Sequence, residues 1–147
     1  MEELSKIGID IVLYSSLLIS IYSDYKYHKI YNKIIFPGMI LALILNVGAY
    51  HIEGLISSLL SGLISLVFFG LFYLINMIGA GDVKLIVLAS MLTNPFYALG
   101  AMIVGSIIAA IYAMFIFFKT KSLKATIPYG IFIGVGFIVY KFLTIIL

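Results

Sequence analysis

Apolar residues run along this chain in long blocks separated by short polar interruptions. The blocks cover residues 7–23, 34–50, 55–78, 83–92, 97–118 and 127–147. A bilayer core about 30 Å thick takes roughly 20 apolar residues of helix to cross. Five blocks approach that length. The fourth, at ten residues, gives about 15 Å of helix. The pattern predicts an all-α polytopic membrane protein, a single transmembrane domain over residues 1–147 with six spans.

Composition supports the same class. Hydrophobic residues are 64% of the chain and charged residues 10%, whereas a soluble domain carries about a quarter charged. Polar surface this sparse does not cover a water-facing globule. There is no cysteine, which excludes disulfides, thiolate metal sites and a cysteine nucleophile. No basic face is long enough to track a phosphate backbone, which argues against nucleic-acid binding. Glu2 and Glu3 stand where a signal peptide has its basic region, so the first block reads as a retained span.

The net charge of +3 matters less than where the lysines fall. In a six-span reading Lys26, Lys29, Lys33, Lys84, Lys119, Lys121 and Lys124 share one side, with Lys6 on the other and Lys141 inside span six. Loop lysines concentrate on the cytoplasmic side. That side is therefore cytoplasmic, and both termini are extracytoplasmic. Of the six acids, Glu2, Glu3, Asp10 and Glu53 fall at the outer face and only Asp24 and Asp82 at the cytoplasmic face. Asp10 is fourteen residues before Asp24, about 21 Å along a helix, and cannot join them.

Small residues recur every four positions: Gly54, Ser58 and Gly62; Ala101, Gly105, Ala109 and Ala113; Gly130 and Gly134. Such stripes let helix backbones approach closely in lipid. Asn46 and Asn76, in apolar surroundings, are expected to bond across helices. His28 and His51 fall on opposite faces and form no shared metal site.

The candidate chemistry gathers at the fourth block. Gly79-Ala80-Gly81 breaks the helical run just before Asp82, and irregular backbone at membrane depth is tolerated only inside protein or beside water. Asp82 is thus expected at the head of a short helix, facing a wet pocket, with the helix dipole favouring its carboxylate form. An ionisable residue at such depth is a functional candidate. Two acids in one pocket cannot both ionise easily. One stays basic enough to activate water while the other, protonated, polarises a carbonyl. That is aspartic protease chemistry, and it requires no metal or cofactor.

Three motifs then resemble one family. Gly79-Ala80-Gly81-Asp82-Val83-Lys84 resembles the Gly-x-Gly-Asp-x-Lys motif of type IV prepilin peptidases. Asp24, followed by Lys26, Lys29 and Ile30-Tyr31-Asn32, resembles the aspartate, basic residues and Ile-Pro-Asn-like stretch after that family's first conserved span, with Tyr31 in place of proline. Ile127-Pro128-Tyr129-Gly130 resembles its Pro-x-Gly segment opening the last span, with Ile131 replacing a second proline.

The resemblance implies a peptidase of the cytoplasmic membrane. Its substrates are prepilin-like, pseudopilin or archaellin precursors, and it cuts a basic leader just before the substrate's hydrophobic helix. Asp24 and Asp82 would be catalytic, with Gly79, Gly81, Lys84, Asn32, Pro128 and Gly130 in support. Lacking cysteines and a long cytoplasmic loop, the chain resembles the short forms of tight-adherence pilus systems or archaea, without N-methylation. Lys84 would tune Asp82, meet a substrate carboxylate or anchor topology; Asn32 would orient Asp24 or substrate, or cap span two. A presenilin-like protease would place a tyrosine before its first aspartate, whereas here Tyr25 follows Asp24. A proton or ion relay, or a noncatalytic pilus scaffold, is the alternative from another class.

Overall fold

The computed structural model of the protein describes residues 2–120 and 129–146, with Thr120 described by its backbone alone. It is helical throughout: α1 (Glu2–Tyr27), α2 (Asn32–Leu74), α3 (Ala80–Leu92), α4 (Pro95–Thr120) and α5 (Tyr129–Ile146). Four of these, all but α3, are long and apolar enough to cross a membrane. Pro128, Lys121 and Lys124 lie outside the described residues.

Five elements stand where six spans were expected, because α2 holds two blocks. Its 43 residues are interrupted at Tyr50 and at His51, whose φ of 55° is left-handed. The cross-bonds show what the interruption does. Asn32, Gly38 and Asn46 meet Lys84, Leu88 and Met91 in turn, so residues 32–49 run parallel to α3. Beyond the break the order inverts: Ser58 meets Met91, and Gly62 meets both Met91 and Val87. The chain therefore reverses at 50–51, and α2 is a helical hairpin clasping α3.

The outer surface is apolar, with Leu18, Ile40, Ile44, Leu63 and Val67 all exposed, while buried serines such as Ser58, Ser61, Ser65 and Ser90 are set among an otherwise apolar interior. This inversion suits lipid, where helices associate through close packing and interhelical hydrogen bonds rather than hydrophobic force. Ser65 Oγ lies 2.7 Å from Ser90 Oγ, and Ser90 in turn donates to the Ser61 carbonyl at 3.0 Å. The small-residue stripes sit at the closest approaches. A Cβ on Gly105 would lie 2.4 Å from the Phe132 carbonyl oxygen, and one on Gly136 equally close to that of Ala101.

Helix α3 is the core. Every position from Val83 to Leu92 except Lys84 is buried. A buried helix end leaves carbonyls without partners unless side chains reach them. Here Asn46 Nδ2 and Ser58 Oγ both donate to the Met91 carbonyl, at 3.1 and 3.0 Å, and Thr93 Oγ1 donates to that of Ala89 at 2.8 Å. Asn46 thus bonds across helices, as expected. Asn76 does not. It ends α2 in the left-handed region with φ 59°, its N–H donating to Tyr73 and that of Met77 to Phe72. This is the double bond of a Schellman cap, and it stops the helix at Leu74, four residues before the apolar block ends.

Candidate active site

The two aspartates reach one pocket from different helices. Asp24 lies in the last turn of α1, buried to 7% exposure. The chain turns at His28, one residue past the end of that helix. His28 takes a left-handed φ of 50°, its N–H donating 2.9 Å to the Asp24 carbonyl. The Ser23 hydroxyl donates to the Lys29 carbonyl, tying the loop back onto the helix that carries Asp24.

Asp82 stands in the first turn of α3. Gly79 is the N-cap, and its N–H donates 3.2 Å to Asp82 Oδ2. A Cβ on Gly79 would lie 3.0 Å from that same oxygen, so the first motif glycine makes room for the carboxylate to fold back. The glycine run breaks the helix less than expected: Ala80 and Gly81 are already helical. Gly81 instead admits the loop, its missing Cβ lying 3.1 Å from Ile30 Cβ.

The third motif arrives at the head of α5. A Cβ on Gly130 would lie 2.8 Å from Asp24 Oδ2 and 3.1 Å from Ile30 Cδ1. Ile30 is therefore wedged between Gly81 and Gly130, beside both acids. Sequence reasoning named it only within the Ile30-Tyr31-Asn32 stretch and gave it no role, although an apolar residue in a lysine-rich loop is a legible signal. Together Asp24, His28, Ile30, Asn32, Gly79 and Asp82 line a cavity of about 370 Å³.

Electrostatics acts on Asp82. Burial pushes Asp82 up to about 6, the Gly79 N–H opposes this, and the Asp24 charge adds to it. Desolvation of the charged form outweighs the helix N-terminus that was expected to favour it. Asp24 Oδ2 is buried with no hydrogen-bond partner among the described residues.

Asn32 and Lys84 are brought together, Lys84 Nζ donating to Asn32 Oδ1 at 3.0 Å. Asn32 does not cap α2. The cap is Tyr31, without a side-chain bond. Asp10 lines a separate cavity with Lys6, Tyr97 and Lys141 at the other end of the bundle. Glu2 and Glu3 begin α1 at that end, and Glu53 follows the 50–51 reversal, where His51 meets Glu2. Asp24 and Asp82 are thus the two acids at their end.

Residues 11–114 match the type IV leader peptidase family. The chain belongs to that family. The match takes in both aspartates and the Gly-x-Gly-Asp segment, and leaves Gly130 outside it. Curated proteins and solved structures yield no match. Membership in the leader peptidases accounts for a hydrolase with several apolar helices and a prepilin-like protein as its substrate.

Proposed function

We propose that the protein is an aspartic endopeptidase that removes the basic leader from a prepilin-like, pseudopilin or archaellin precursor at the cytoplasmic membrane face. The observation that carries this reading is the shared pocket: a buried carboxyl on α1 and a half-buried one on α3 line one cavity at the same end of the bundle. Burial and the Asp24 charge hold Asp82 protonated to higher pH than an ordinary aspartate. Asp82 then donates to the scissile carbonyl while Asp24 accepts a proton from the attacking water. The unpartnered Asp24 Oδ2 supports that assignment, since a buried carboxylate oxygen without an internal partner is suited to one from outside the chain. After attack the proton taken by Asp24 passes to the leaving amine, the C–N bond breaks as one hydroxyl of the gem-diol returns its proton to Asp82, and no covalent intermediate forms. Gly79 and Gly130 keep side chains off the acids, Gly81 admits Ile30 beside them, and the Lys84–Asn32 bond holds the head of α3 against the start of α2.

In this reading the chain crosses the membrane six times, each arm of α2 and residues 83–92 counting as one crossing, with both termini outside. Asp82 then lies at the inner edge. The lysines support the orientation. Lys26, Lys29, Lys33 and Lys84 cluster around the acids, and Lys6 and Lys141 line the opposite cavity. The chain acts as peptidase alone, without N-methylation.

Leader cleavage in membranes tests the reading. Asp24→Asn and Asp82→Asn should each abolish conversion of a prepilin-like substrate from the same genome, and Asp10→Asn should retain it. Conversion surviving in either pocket variant, with folded protein present, would sink the dyad.

A further inference from the structure

A second cavity opens beside the acids. It is an apolar groove of about 550 Å³ between the second arm of α2 and α4, with Phe68 and Phe72 on one wall and Ile103 on the other. On α4 its lining falls at positions 99, 102, 103, 106, 107 and 110, one face of the helix. Eleven residues of rise make the groove about 16 Å long, three helical turns.

Its position relative to the acids gives it meaning. Ile78 lines it and is followed directly by Gly79, which donates to Asp82. Tyr129 lines it and is followed directly by Gly130, which packs on Asp24. Ile78 and Tyr129 therefore bring the groove's lining within one residue of contacts to each acid. Ser106 and Tyr129 hydrogen-bond to each other across it at 2.6 Å, so they leave little unmet polarity in the wall.

We infer that this groove seats the first three turns of the substrate's apolar helix, setting the bond that precedes that helix between Asp24 and Asp82. The inference rests on the leader-peptidase reading above. It names the surface that measures off the cleavage position: an apolar helix docked there is stopped where the wall changes from Ile78 and Tyr129 to the glycines and the acids. A helix-in-groove dock of this kind is read by residues three and four apart on the occupant.

Because the protein has no cysteine, single cysteines report the dock cleanly. In the Asp82→Asn background, which retains uncleaved substrate, Ile103→Cys is paired with a substrate carrying one cysteine within three turns after the scissile bond. Oxidation should give a mixed disulfide at least fivefold above that from lipid-facing Leu18→Cys. In the active enzyme Ile103→Trp fills the groove and should raise apparent KM about tenfold with kcat within twofold, the signature of lost ground-state binding. Equal cross-linking at Leu18 and Ile103, or Ile103→Trp with unchanged KM, overturns the groove while leaving the peptidase reading intact. So does a disulfide between two copies of the enzyme in place of substrate. A wild type that leaves the leader uncut overturns the peptidase reading, and the groove falls with it.

Discussion

Gly130 presses its bare Cα face against the carboxyl of Asp24, so closely that a methyl group there would lie 2.8 Å from Oδ2 and 3.0 Å from Cγ. Two residues more than a hundred positions apart in sequence thus share one contact at the pocket of the two acids. Gly130→Ala should therefore move the carboxylate while leaving the bundle folded. Misplacing a reacting group by about 1 Å costs on the order of a hundredfold. Leader cleavage should fall between ten- and a hundredfold in kcat, with apparent KM within about threefold. Wild-type kcat in Gly130→Ala would show that Asp24 does not need this position.

Asp82 is the group whose titration the pocket sets. Its protonated form dominates below its pKa of about 6 and is lost as pH rises through that value. Cleavage should accordingly decline above about pH 6, although the rate profile reports the pair rather than either acid. A carbodiimide, which attacks protonated carboxyls, should label Asp82 at low pH with a midpoint near that value. Asp24→Asn removes a charge that raises Asp82, so the labelling midpoint should move to lower pH. An upward move would contradict the like-charge coupling.

The Lys84–Asn32 bond joins the helix of Asp82 to the first residue of α2. Lys84→Met and Asn32→Ala each break the same interaction. Their effects on kcat/KM should be similar and should not add, with a coupling energy of about 1 kcal/mol in a double-mutant cycle. Additive effects would mean that the two residues serve separate purposes.

Asn46 and Ser58 share one acceptor, the Met91 carbonyl. Either replaced by alanine should cost about 1 kcal/mol of bundle stability, measured by detergent unfolding, since each leaves the other bond in place. Replacing both leaves a buried carbonyl at the end of α3 without those partners, and the loss should exceed the sum of the singles. Simple additivity would indicate that another group reaches Met91.

Much of this was legible because lipid writes its demands into hydropathy. Six apolar blocks correspond to six helical segments, and the His51–Glu53 interruption corresponds to the α2 reversal. The separation of Asp24 and Asp82 from the other acids followed from block counting alone. Ends and fine contacts were not legible. Asn76 was read as a cross-helix donor, because a residue capping a helix through its own backbone has no hydropathic signature. Asn32 was read as a cap or an orienting residue, and its partner Lys84 lies 52 positions away, set by the register of α3 in the α2 hairpin. Ile30 was given no role because its importance comes from two glycines on other helices. Pro128 lies outside the described residues.

The reversal at Tyr50–His51 divides the chain so that Asp24 and Asn32 precede it, while Asp82, Lys84 and Gly130 follow. During synthesis, then, the first hairpin reaches the membrane holding Asp24, one acid of the pair, without its partner. Asp82 appears only with α3, and the glycine that seats Asp24 comes later still, at the start of α5. On the proposed mechanism a half-made chain is harmless to the membrane proteins around it. On that mechanism hydrolysis waits at least for α3, which brings Asp82 to Asp24.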